Sequence, residues 1–377
     1  MALLPYGRQS IDDDDVAAVV AALTSDWLTT GPEVDKFEAA IAARAGVPHA
    51  VSVTSGTAAL HTAYAAAGIQ PGDEVVTTPL TFVATAAGAA LHGAKIVFAD
   101  VDPLTGNLDP AAAEAAVTER TRVVAGVDYA GLPVDAPAFR DLAARKGLLF
   151  LEDAAHSIGS TLDGVPVGSL ADITTYSFFP TKNLTTAEGG AVVTASDELA
   201  AKARSFKNHG LVRDQALQRY PDEGPWHQEV HSFGLNYRLP DVLCALGISQ
   251  LARLDQFVAR RAAVKKAYDE ALGALDGVDV PFTPDGAAPA WHLYPLRVPA
   301  ERRRAIFESL REQGIGVQVN YIPAYWHPVF EDLGYQRGMC PVAEDYYRRE
   351  VSLPMFPGLT DVDVERVIDS VQRALAG

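Results

Sequence analysis

The chain has 377 residues, of which 48% are hydrophobic and 21% charged; this is the balance of a globular protein, not of a disordered chain or a coiled coil. At roughly 100 to 200 residues per domain, the length allows two or three domains. Lysine and arginine total 31 against 48 aspartates and glutamates, so the net charge is −17. Such a charge repels phosphate backbones and anionic lipids, so neither nucleic acid nor a membrane is expected as a partner.

The cysteines and the first residues favour a cytoplasmic protein. Cys244 and Cys340 are far apart and match no metal-ligand spacing, so we interpret them as reduced thiols and expect no metal site. The opening MALLPYGRQSIDDDD lacks the basic start and apolar stretch of a secretion signal. No apolar run approaches the roughly 18 residues that span a bilayer.

Two helices are predicted before the first strand. Ser10, followed by Ile11 and four aspartates, has the pattern of a helix N-cap with acidic residues at the positive end of the helix dipole. This predicts a helix over residues 16–23. A second amphipathic helix is predicted over residues 34–45, ending at Gly46.

Strand and helix patterns then alternate. Short apolar runs of strand type are separated by Ala-rich helical runs, which predicts a mostly parallel sheet covered by helices. The strand-like runs are AVSV, EVVTT, KIVFAD, RVVAGVDY and LLFLED. Two further strands, ITTYSF and GGAVVTAS, are joined by a polar connection.

The second half of the chain predicts a change of architecture. Residues 205–238 lack periodicity and are rich in Gly, Pro, His and Trp, which is typical of a long functional loop. A strong helical pattern over residues 240–272 predicts one long helix. We therefore expect a large α/β domain over residues 10–245 and a smaller α+β domain over residues 246–377, with residues 1–9 packed near the small domain.

A polar turn between a strand and a helix is the first candidate site. In Thr54-Ser55-Gly56-Thr57, free backbone N–H groups and the helix dipole favour an anion such as phosphate. The turn lacks the P-loop pattern, which disfavours nucleotide triphosphate hydrolysis. Taken alone, such a turn is more often a simple helix cap.

Asp153 and Lys182 are the next candidates. Asp153 follows the run LLFL, at the carboxyl end of a parallel strand where ligands bind in α/β sheets; it could hold a ligand cation or ring nitrogen, or cap a helix. Lys182 stands among aromatic and small residues in SFFPTKNL. Partial desolvation there would lower its pKa and make the amine a nucleophile toward carbonyls, whereas most loop lysines are solvated surface charges.

Together, the three features are what a pyridoxal 5'-phosphate (PLP) enzyme requires. A lysine binds the cofactor covalently, a carboxylate keeps the pyridine nitrogen protonated, and a cradle anchors the phosphate. The order of cradle, aspartate and lysine along the chain also fits a doubly wound sheet.

Longer motifs carry a resemblance to a known family. These motifs are SGTAALH, GDEVVTTPLTFVATA, EDAAHSIGS, SFFPTKNLTTAEGGAVV, NHG with RD close behind, GLNYRLPDVLCALGISQL and LPMFPGLTD. In order and nearly end to end, they resemble the DegT/StrS family of PLP-dependent sugar aminotransferases. The resemblance implies an aspartate-aminotransferase-type fold, PLP as the cofactor, and a homodimer with composite active sites.

The resemblance also implies roles for individual residues. Lys182 would hold the cofactor, Asp153 would pair with its ring nitrogen, and His156 would lie near its phenolic oxygen. The phosphate would be bound by Ser55, Gly56, Thr57 and Ser177, with Asn236 reaching the phosphate in the neighbouring subunit. Phe82 and Ala155 would pack on opposite faces of the pyridine ring.

Within the family, several stretches are most similar to the transaminases of the pseudaminic acid pathway. These stretches are PYGRQSIDDDD, DWLTTGPEVDKFE, TTPLTFVATA, DVDPLTGNLDP and NYIP. That group uses glutamate to aminate C4 of a UDP-linked 4-keto-6-deoxy-N-acetyl sugar. Phe179 and Tyr325 depart from it, since both positions usually hold histidine on the substrate side.

The expected reaction is therefore amino transfer from L-glutamate to a nucleotide-linked 4-keto-6-deoxy sugar. An aminotransferase for an antibiotic amino sugar or an amino-cyclitol is the main alternative. A PLP sugar dehydratase is disfavoured because those relatives replace the family lysine with histidine. A PLP-binding regulator without turnover is disfavoured because no DNA-binding module or basic stripe accompanies the motifs.

A dianionic nucleotide sugar requires local cations in a chain of net charge −17. Arg213, Arg238 and Lys207 lie in or beside the irregular segment and are candidates, although each could equally be a surface charge. Tyr321, in NYIP, and Tyr325 are candidate sugar or nucleotide contacts. The alternative for a buried tyrosine is a core residue with a satisfied hydroxyl.

Overall fold

The computed structural model describes residues 3–376, which contain 14 strands and 13 α-helices. The strands are β1 (His49–Val53), β2 (Glu74–Thr77), β3 (Lys95–Phe98), β4 (Thr121–Val127), β5 (Leu149–Asp153), β6 (Thr161–Leu162), β7 (Val165–Pro166), β8 (Ile173–Ser177), β9 (Gly190–Thr194), β10 (Leu211–Val212), β11 (Glu229–Val230), β12 (Ala287–Ala288), β13 (Tyr294–Arg297) and β14 (Glu350–Leu353). The helices are α1 (Asp13–Leu23), α2 (Pro32–Ala45), α3 (Gly56–Ala66), α4 (Ala84–Ala90), α5 (Pro110–Ala116), α6 (Ala136–Lys146), α7 (Asp197–Lys207), α8 (Asp241–Ala252), α9 (Leu254–Leu272), α10 (Arg303–Glu312), α11 (Pro328–Glu331), α12 (Pro341–Arg349) and α13 (Asp361–Ala376).

A seven-stranded sheet in the order β1-β9-β8-β5-β4-β2-β3 organises the first part of the chain. Strands β3, β2, β4, β5 and β8 pair in parallel. Strand β9 is antiparallel to both β8 and β1, so β1 points in the same direction as the five parallel strands. The predicted mostly parallel sheet is confirmed, and the carboxyl ends of β1, β5 and β8 meet at one edge.

The strands are apolar throughout because both faces of the sheet are covered. Val75 and Val123 belong to one hydrophobic cluster, whereas their neighbours Val76 and Val124 belong to a cluster on the opposite face. Successive strand residues point to opposite faces, so a sheet sheathed on both sides requires continuous apolar runs. The covering of both faces accounts for the continuous apolar runs from which the sheet was predicted.

Helix α1 begins at Asp13, earlier than predicted, and the prediction of Ser10 as its N-cap was wrong. Asp12 is the cap: its side chain accepts a hydrogen bond from the Asp15 amide at 3.0 Å, and the Asp15 carboxylate accepts from the Asp12 amide at 3.1 Å. This reciprocal capping box satisfies two free donors of the first turn. The Ser10 carbonyl instead accepts from the Gln250 side chain at 2.8 Å.

The single helix predicted over residues 240–272 is two helices, α8 and α9, which are bent by 57° at Arg253. The Arg253 side chain forms ion pairs with Asp12, at 2.8 Å, and with Asp15. The apolar pattern continues across the break, so periodicity gives no signal of it. Within residues 3–376, no single helix is long and apolar enough to cross a membrane, and only this bent pair reaches that length and apolarity together.

Residues 205–238 are largely irregular, as predicted. After α7 ends at Lys207, this segment contains the short antiparallel pair β10–β11 and two 3₁₀ turns. Two of its aromatic side chains are strongly exposed, Trp226 at 79% and Phe233 at 98%.

A third hydrophobic cluster unites α9, α10, α13, β13 and β14 with Leu4. The Leu4 amide donates to the Gly314 carbonyl at 2.9 Å, and the Gly316 amide donates to the Leu4 carbonyl at 2.8 Å. Leu4 thus packs against the C-terminal part of the chain, and residues 1 and 2 of the predicted N-terminal segment lie outside the described residues. The division into domains at residue 245, which falls inside α8, stays a prediction.

Candidate active site

A cavity of about 640 Å³ opens at the carboxyl edge of the sheet. Most of the residues that the sequence marks as cofactor contacts line it, although they come from distant parts of the chain. They are Ser55, Gly56, Thr57, Phe82, Asp153, Ala155, His156, Ser177 and Lys182, together with the candidate substrate residue Tyr321.

The polar turn forms one wall of the cavity. It connects β1 to α3, with Ser55 as the N-cap whose hydroxyl accepts from the Ala58 amide at 3.0 Å. A Cβ on Gly56 would lie 2.7 Å from the Ser177 Cβ, so only glycine allows the end of β8 to approach the helix this closely. Hydroxyl groups of Ser55, Thr57 and Ser177 therefore surround a positive helix end, which suits a phosphate.

Asp153 ends β5 and is 4% exposed. Its carboxylate accepts hydrogen bonds from the Thr85 hydroxyl at 2.7 Å and from the Ala155 amide at 3.2 Å. Burial raises the pKa of Asp153, and these two bonds and the charge of Lys182 oppose the rise. A buried carboxylate held in this way is stabilised by a cationic partner in the cavity.

Lys182 lies in the loop between β8 and β9, where its amide donates to the Phe179 carbonyl at 2.9 Å. Burial lowers the pKa of the Lys182 amine to about 8, with the Asp153 carboxylate opposing the shift and the Arg261 guanidinium reinforcing it. A lysine of this pKa is a better nucleophile near neutrality than a solvated one, because more of it carries no proton.

His156 is buried between two aromatic side chains. Its Nε2 lies 3.1 Å from the Tyr321 hydroxyl, and its ring centroid lies 4.4 Å from that of His292. Burial is the main cause that lowers the pKa of His156 well below the ordinary value, and repulsion from Lys182 adds to it. The ring is therefore neutral. Its Nδ1 is buried without a hydrogen-bond partner among residues 3–376, which leaves a polar atom for a bound group to satisfy.

Phe82 completes the cavity with an open aromatic face. It is 59% exposed, and its ring centroid lies 6.2 Å from that of Tyr321. An exposed aromatic ring at a cavity offers a flat apolar surface for a planar ligand. Its stacking on a pyridine ring stays a prediction.

These residues fit PLP. The cradle suits its phosphate, the Asp153 carboxylate suits a protonated ring nitrogen, the Lys182 amine suits its aldehyde, and His156 has an unpaired nitrogen. A sheet with one antiparallel strand and this site at its carboxyl edge define a PLP-dependent aminotransferase.

Comparison with known proteins gives the family. Residues 9–372 match the model of the DegT/DnrJ/EryC1/StrS aminotransferase family. The chain belongs to this family, and it is a PLP-dependent sugar aminotransferase.

Relatives match along nearly the whole chain. The spore coat polysaccharide biosynthesis protein SpsC of Bacillus subtilis (strain 168) is 41% identical over 380 residues, covering 99% of this chain and 97% of SpsC. Among solved structures, Helicobacter pylori PseC, an aminotransferase involved in the biosynthesis of pseudoaminic acid, is 33% identical with a TM-score of 0.92, covering 99% of both chains. The PLP form of the putative sugar aminotransferase Spr1654 from Streptococcus pneumoniae is 27% identical with a TM-score of 0.92, covering 99% of this chain and 98% of that one.

Three candidate residues of the irregular segment lie outside the cavity lining. Arg213 and Asn236 are exposed. Asn236 forms a backbone bridge with Asn208, whose side chain accepts from Arg238 at 2.7 Å. Within one chain, these residues do not join the site.

Two further candidates serve the packing of the protein. Tyr325 is fully buried, donates to Glu344 at 2.6 Å and packs against Phe98, so it does not line the cavity. The Lys207 amine donates to the buried Glu38 carboxylate at 2.7 Å. Their placement gives neither residue a contact with a ligand in the cavity.

Sequence reasoning missed several lining residues. Thr85 was detectable, since it stands three positions after Phe82 at the start of a helix and thus on the same side. Tyr6 and His292 carried no local signal. Both reach the cavity only through the packing of the N-terminal and C-terminal parts of the chain.

Proposed function

We propose that this protein transfers the amino group of L-glutamate to a nucleotide-linked 4-keto-6-deoxy sugar, namely UDP-4-keto-6-deoxy-N-acetylhexosamine. The observation that carries the proposal is the placement of Lys182, Asp153 and the Ser55–Thr57 turn around one cavity. The choice of sugar is supported by the motifs shared with the pseudaminic acid transaminases and by 33% identity to PseC. The relationship to SpsC, which is named for polysaccharide biosynthesis, agrees with a sugar substrate.

Each residue has a defined task in this reaction. When bound, PLP supplies an electron sink that stabilises negative charge at the carbon bearing the amino group. Lys182 would hold the cofactor covalently, and the same amine, once free, would accept the proton from the α-carbon of glutamate. Asp153 would keep a proton on the pyridine nitrogen through its negative charge. Thr85 and Ala155 orient the Asp153 carboxylate for this task.

The sugar side of the cavity is apolar at its rim. Phe179 is about half exposed and lines the cavity with Tyr321. We propose that this aromatic wall contacts the deoxy carbon of the sugar and that the Tyr321 hydroxyl hydrogen-bonds to a sugar oxygen. An apolar wall favours a methyl group over a hydroxymethyl group, because burying a hydroxyl without a partner costs free energy.

A homodimer, which we place in the cytoplasm, would explain the cationic residues that lie outside the cavity of one chain. We propose that Asn236 reaches the phosphate of the neighbouring subunit's cofactor and that Arg213 and Arg238 meet the nucleotide there. The exposed Trp226 and Phe233 in the same segment support burial against a second subunit.

A second candidate substrate is an antibiotic amino-sugar precursor or a cyclitol ketone. It is favoured by Phe179, which stands where the pseudaminic acid group usually has histidine. The cofactor residues are the same for both substrates, so only the aromatic wall distinguishes them.

The test is to incubate the purified protein with glutamate, PLP and a panel of UDP- and dTDP-linked 4-keto and 3-keto sugars and a free cyclitol ketone. We expect an aminated UDP-linked product, identified by mass and NMR, that does not form when glutamate is omitted. Turnover of the cyclitol ketone alone would contradict the nucleotide-sugar assignment. A product lacking a hydroxyl and formed without glutamate would indicate a dehydratase.

A further inference from the structure

Arg261, in the middle of α9, is a fully buried arginine directly behind the cavity, with 1% of its surface exposed. Its guanidinium donates to four backbone carbonyls. The acceptors are Trp291 at 3.3 Å, His292 at 3.2 Å, Met355 at 2.9 Å and Thr181 at 3.4 Å. One arginine therefore joins three separate segments of the chain to one helix.

No carboxylate within residues 3–376 forms an ion pair with Arg261. This distinguishes it from Arg253 and Arg260, which pair with aspartates. A buried charge that is offset only by carbonyl dipoles is costly. Its positive field is also screened little by solvent, so it acts strongly on neighbouring groups.

Each segment that Arg261 holds carries or contacts a residue of the cavity lining. Thr181 lines the cavity and directly precedes Lys182. His292 contacts the His156 ring. The Met355 amide donates to the Tyr6 carbonyl at 3.2 Å.

We propose that Arg261 is a positioning residue of the active site, which fixes the loop of Lys182 against these segments and places a buried positive charge behind the Lys182 amine. The inference rests on the proposed role of Lys182 as the amine that holds the cofactor. It extends that role by identifying a charge that, in addition to burial, keeps the amine reactive when it is free.

The groups facing Lys182 act in opposite directions. Asp153, from β5, favours the protonated amine, whereas burial and the Arg261 charge, from α9, favour the neutral one. His156 and His292 are neutral, because burial lowers the pKa of both well below the ordinary value. Without the Arg261 charge, the converging carbonyls would present negative potential to Lys182 and raise its pKa.

The test measures the protonation of Lys182 itself in cofactor-free protein. Trace acetylation with acetic anhydride over a pH range from about 6 to 10, read by mass spectrometry on the Lys182 peptide, gives the midpoint at which the amine loses its proton. Two variants remove the charge of Arg261: Arg261→Gln, which keeps donors for the carbonyls, and Arg261→Met, which does not.

Two further variants are controls. Arg261→Lys keeps a positive charge at this position, and Arg260→Gln removes the charge of the adjacent arginine.

We expect Arg261→Gln and Arg261→Met to raise the labelling midpoint by roughly one pH unit. Arg261→Lys and Arg260→Gln should leave it near that of the unsubstituted protein. A midpoint that stays unchanged in a folded Arg261→Gln or Arg261→Met protein, as judged by circular dichroism, would overturn the inference. The labelling requires no sugar, so the result is independent of whether any keto-sugar is turned over.

Discussion

The cavity and the irregular segment over residues 205–238 differ in how completely one chain builds them. At the cavity, ionisable groups are buried and hydrogen-bonded: Asp153 to Thr85 of α4, and His156 to Tyr321. In the segment, Trp226 and Phe233 are exposed. One chain thus brings most of the candidate cofactor contacts to one cavity, whereas the segment presents exposed aromatic side chains that a second subunit could bury.

The difference indicates how the two tasks of the enzyme are divided. Cofactor chemistry requires fixed charges in a dry environment, which a sheet edge inside one chain provides. Recognition of the proposed nucleotide-linked substrate would require cations, and the candidates Arg213 and Arg238 lie outside this chain's cavity. The comparison therefore predicts that substitutions in the two regions have different consequences.

The largest effect is expected from Lys182→Ala. Loss of the amine removes both the covalent hold on the cofactor and the proton acceptor, so turnover should fall by at least about 1000-fold. Visible absorbance of the bound cofactor and borohydride trapping on the Lys182 peptide should also disappear. Lys202→Ala is the matched control, because Lys202 pairs with Glu198 on the protein surface at 2.7 Å. Activity in Lys182→Ala equal to that of this control would refute the assignment.

An intermediate effect is expected from mixing two inactive variants. Suppose that Asn236 acts in the neighbouring subunit's site. A dimer of one Lys182→Ala chain and one Asn236→Asp chain then contains one intact site, built from the Lys182 of the second chain and the Asn236 of the first. Random reassociation should then restore about a quarter of the sites. Steady-state rates before and after reassociation measure the gain, and Lys182→Ala mixed with a Lys182→Ala, Asn236→Asp double variant is the control. A mixture that stays as inactive as this control would show that each chain supplies both residues to one site.

The smallest effect concerns stability around Glu350, which lies behind the cavity. Its carboxyl group accepts from the Asn320 amide at 2.7 Å and from the Ser352 hydroxyl, and Asn320 lines the cavity. Burial raises the pKa of Glu350 from 4.5 to about 8. The folded state therefore holds a proton that the unfolded chain has lost, and the free energy of unfolding should fall as the pH rises from about 4.5 to about 8.

Glu350→Gln removes this titration and should flatten the pH dependence of stability. Denaturant unfolding at about pH 5 and about pH 8 measures how much the free energy of unfolding falls between them. This fall should be smaller in the variant than in the unsubstituted protein by at least about 1 kcal/mol. Glu312→Gln, at the exposed end of α10, is the matched control. Equal losses in all three proteins would mean that Glu350 is ionised in the folded state.

The sheet, and the position of Asp153 at its carboxyl edge, could be predicted because their signals are local. Apolar runs such as that of β4 must be continuous when both faces are covered, and Asp153 directly follows such a run. The cap of α1 was misassigned because Ser10 and Asp12 both suit an N-cap, and the choice depends on Gln250, far away in sequence. Contacts made by the fold, such as that of Gln250, leave no trace in a local pattern.

The same limit applies at the site. Lys182 and the Ser55–Thr57 turn carry recognisable residue types, whereas His292 and Tyr6 are ordinary residues that matter only through their position. Arg261 lies in an amphipathic helix, where the sequence gives no reason to distinguish it from Arg260. Only burial separates them, since Arg261 is enclosed and Arg260 pairs with Asp361 near the surface.

The antiparallel strand β9 has a consequence for the length of the loop that carries Lys182. Gly190 pairs with Ser177 of β8 on one side and with Val53 of β1 on the other. The twelve residues of the loop, 178–189, therefore leave and re-enter the sheet beside the Ser55–Thr57 turn, and strand pairing fixes both ends of the loop. Adding or removing one residue in this loop would shift the Lys182 amine while every strand kept its partners. We expect a chain altered in this way to fold and yet fail to bind its cofactor covalently.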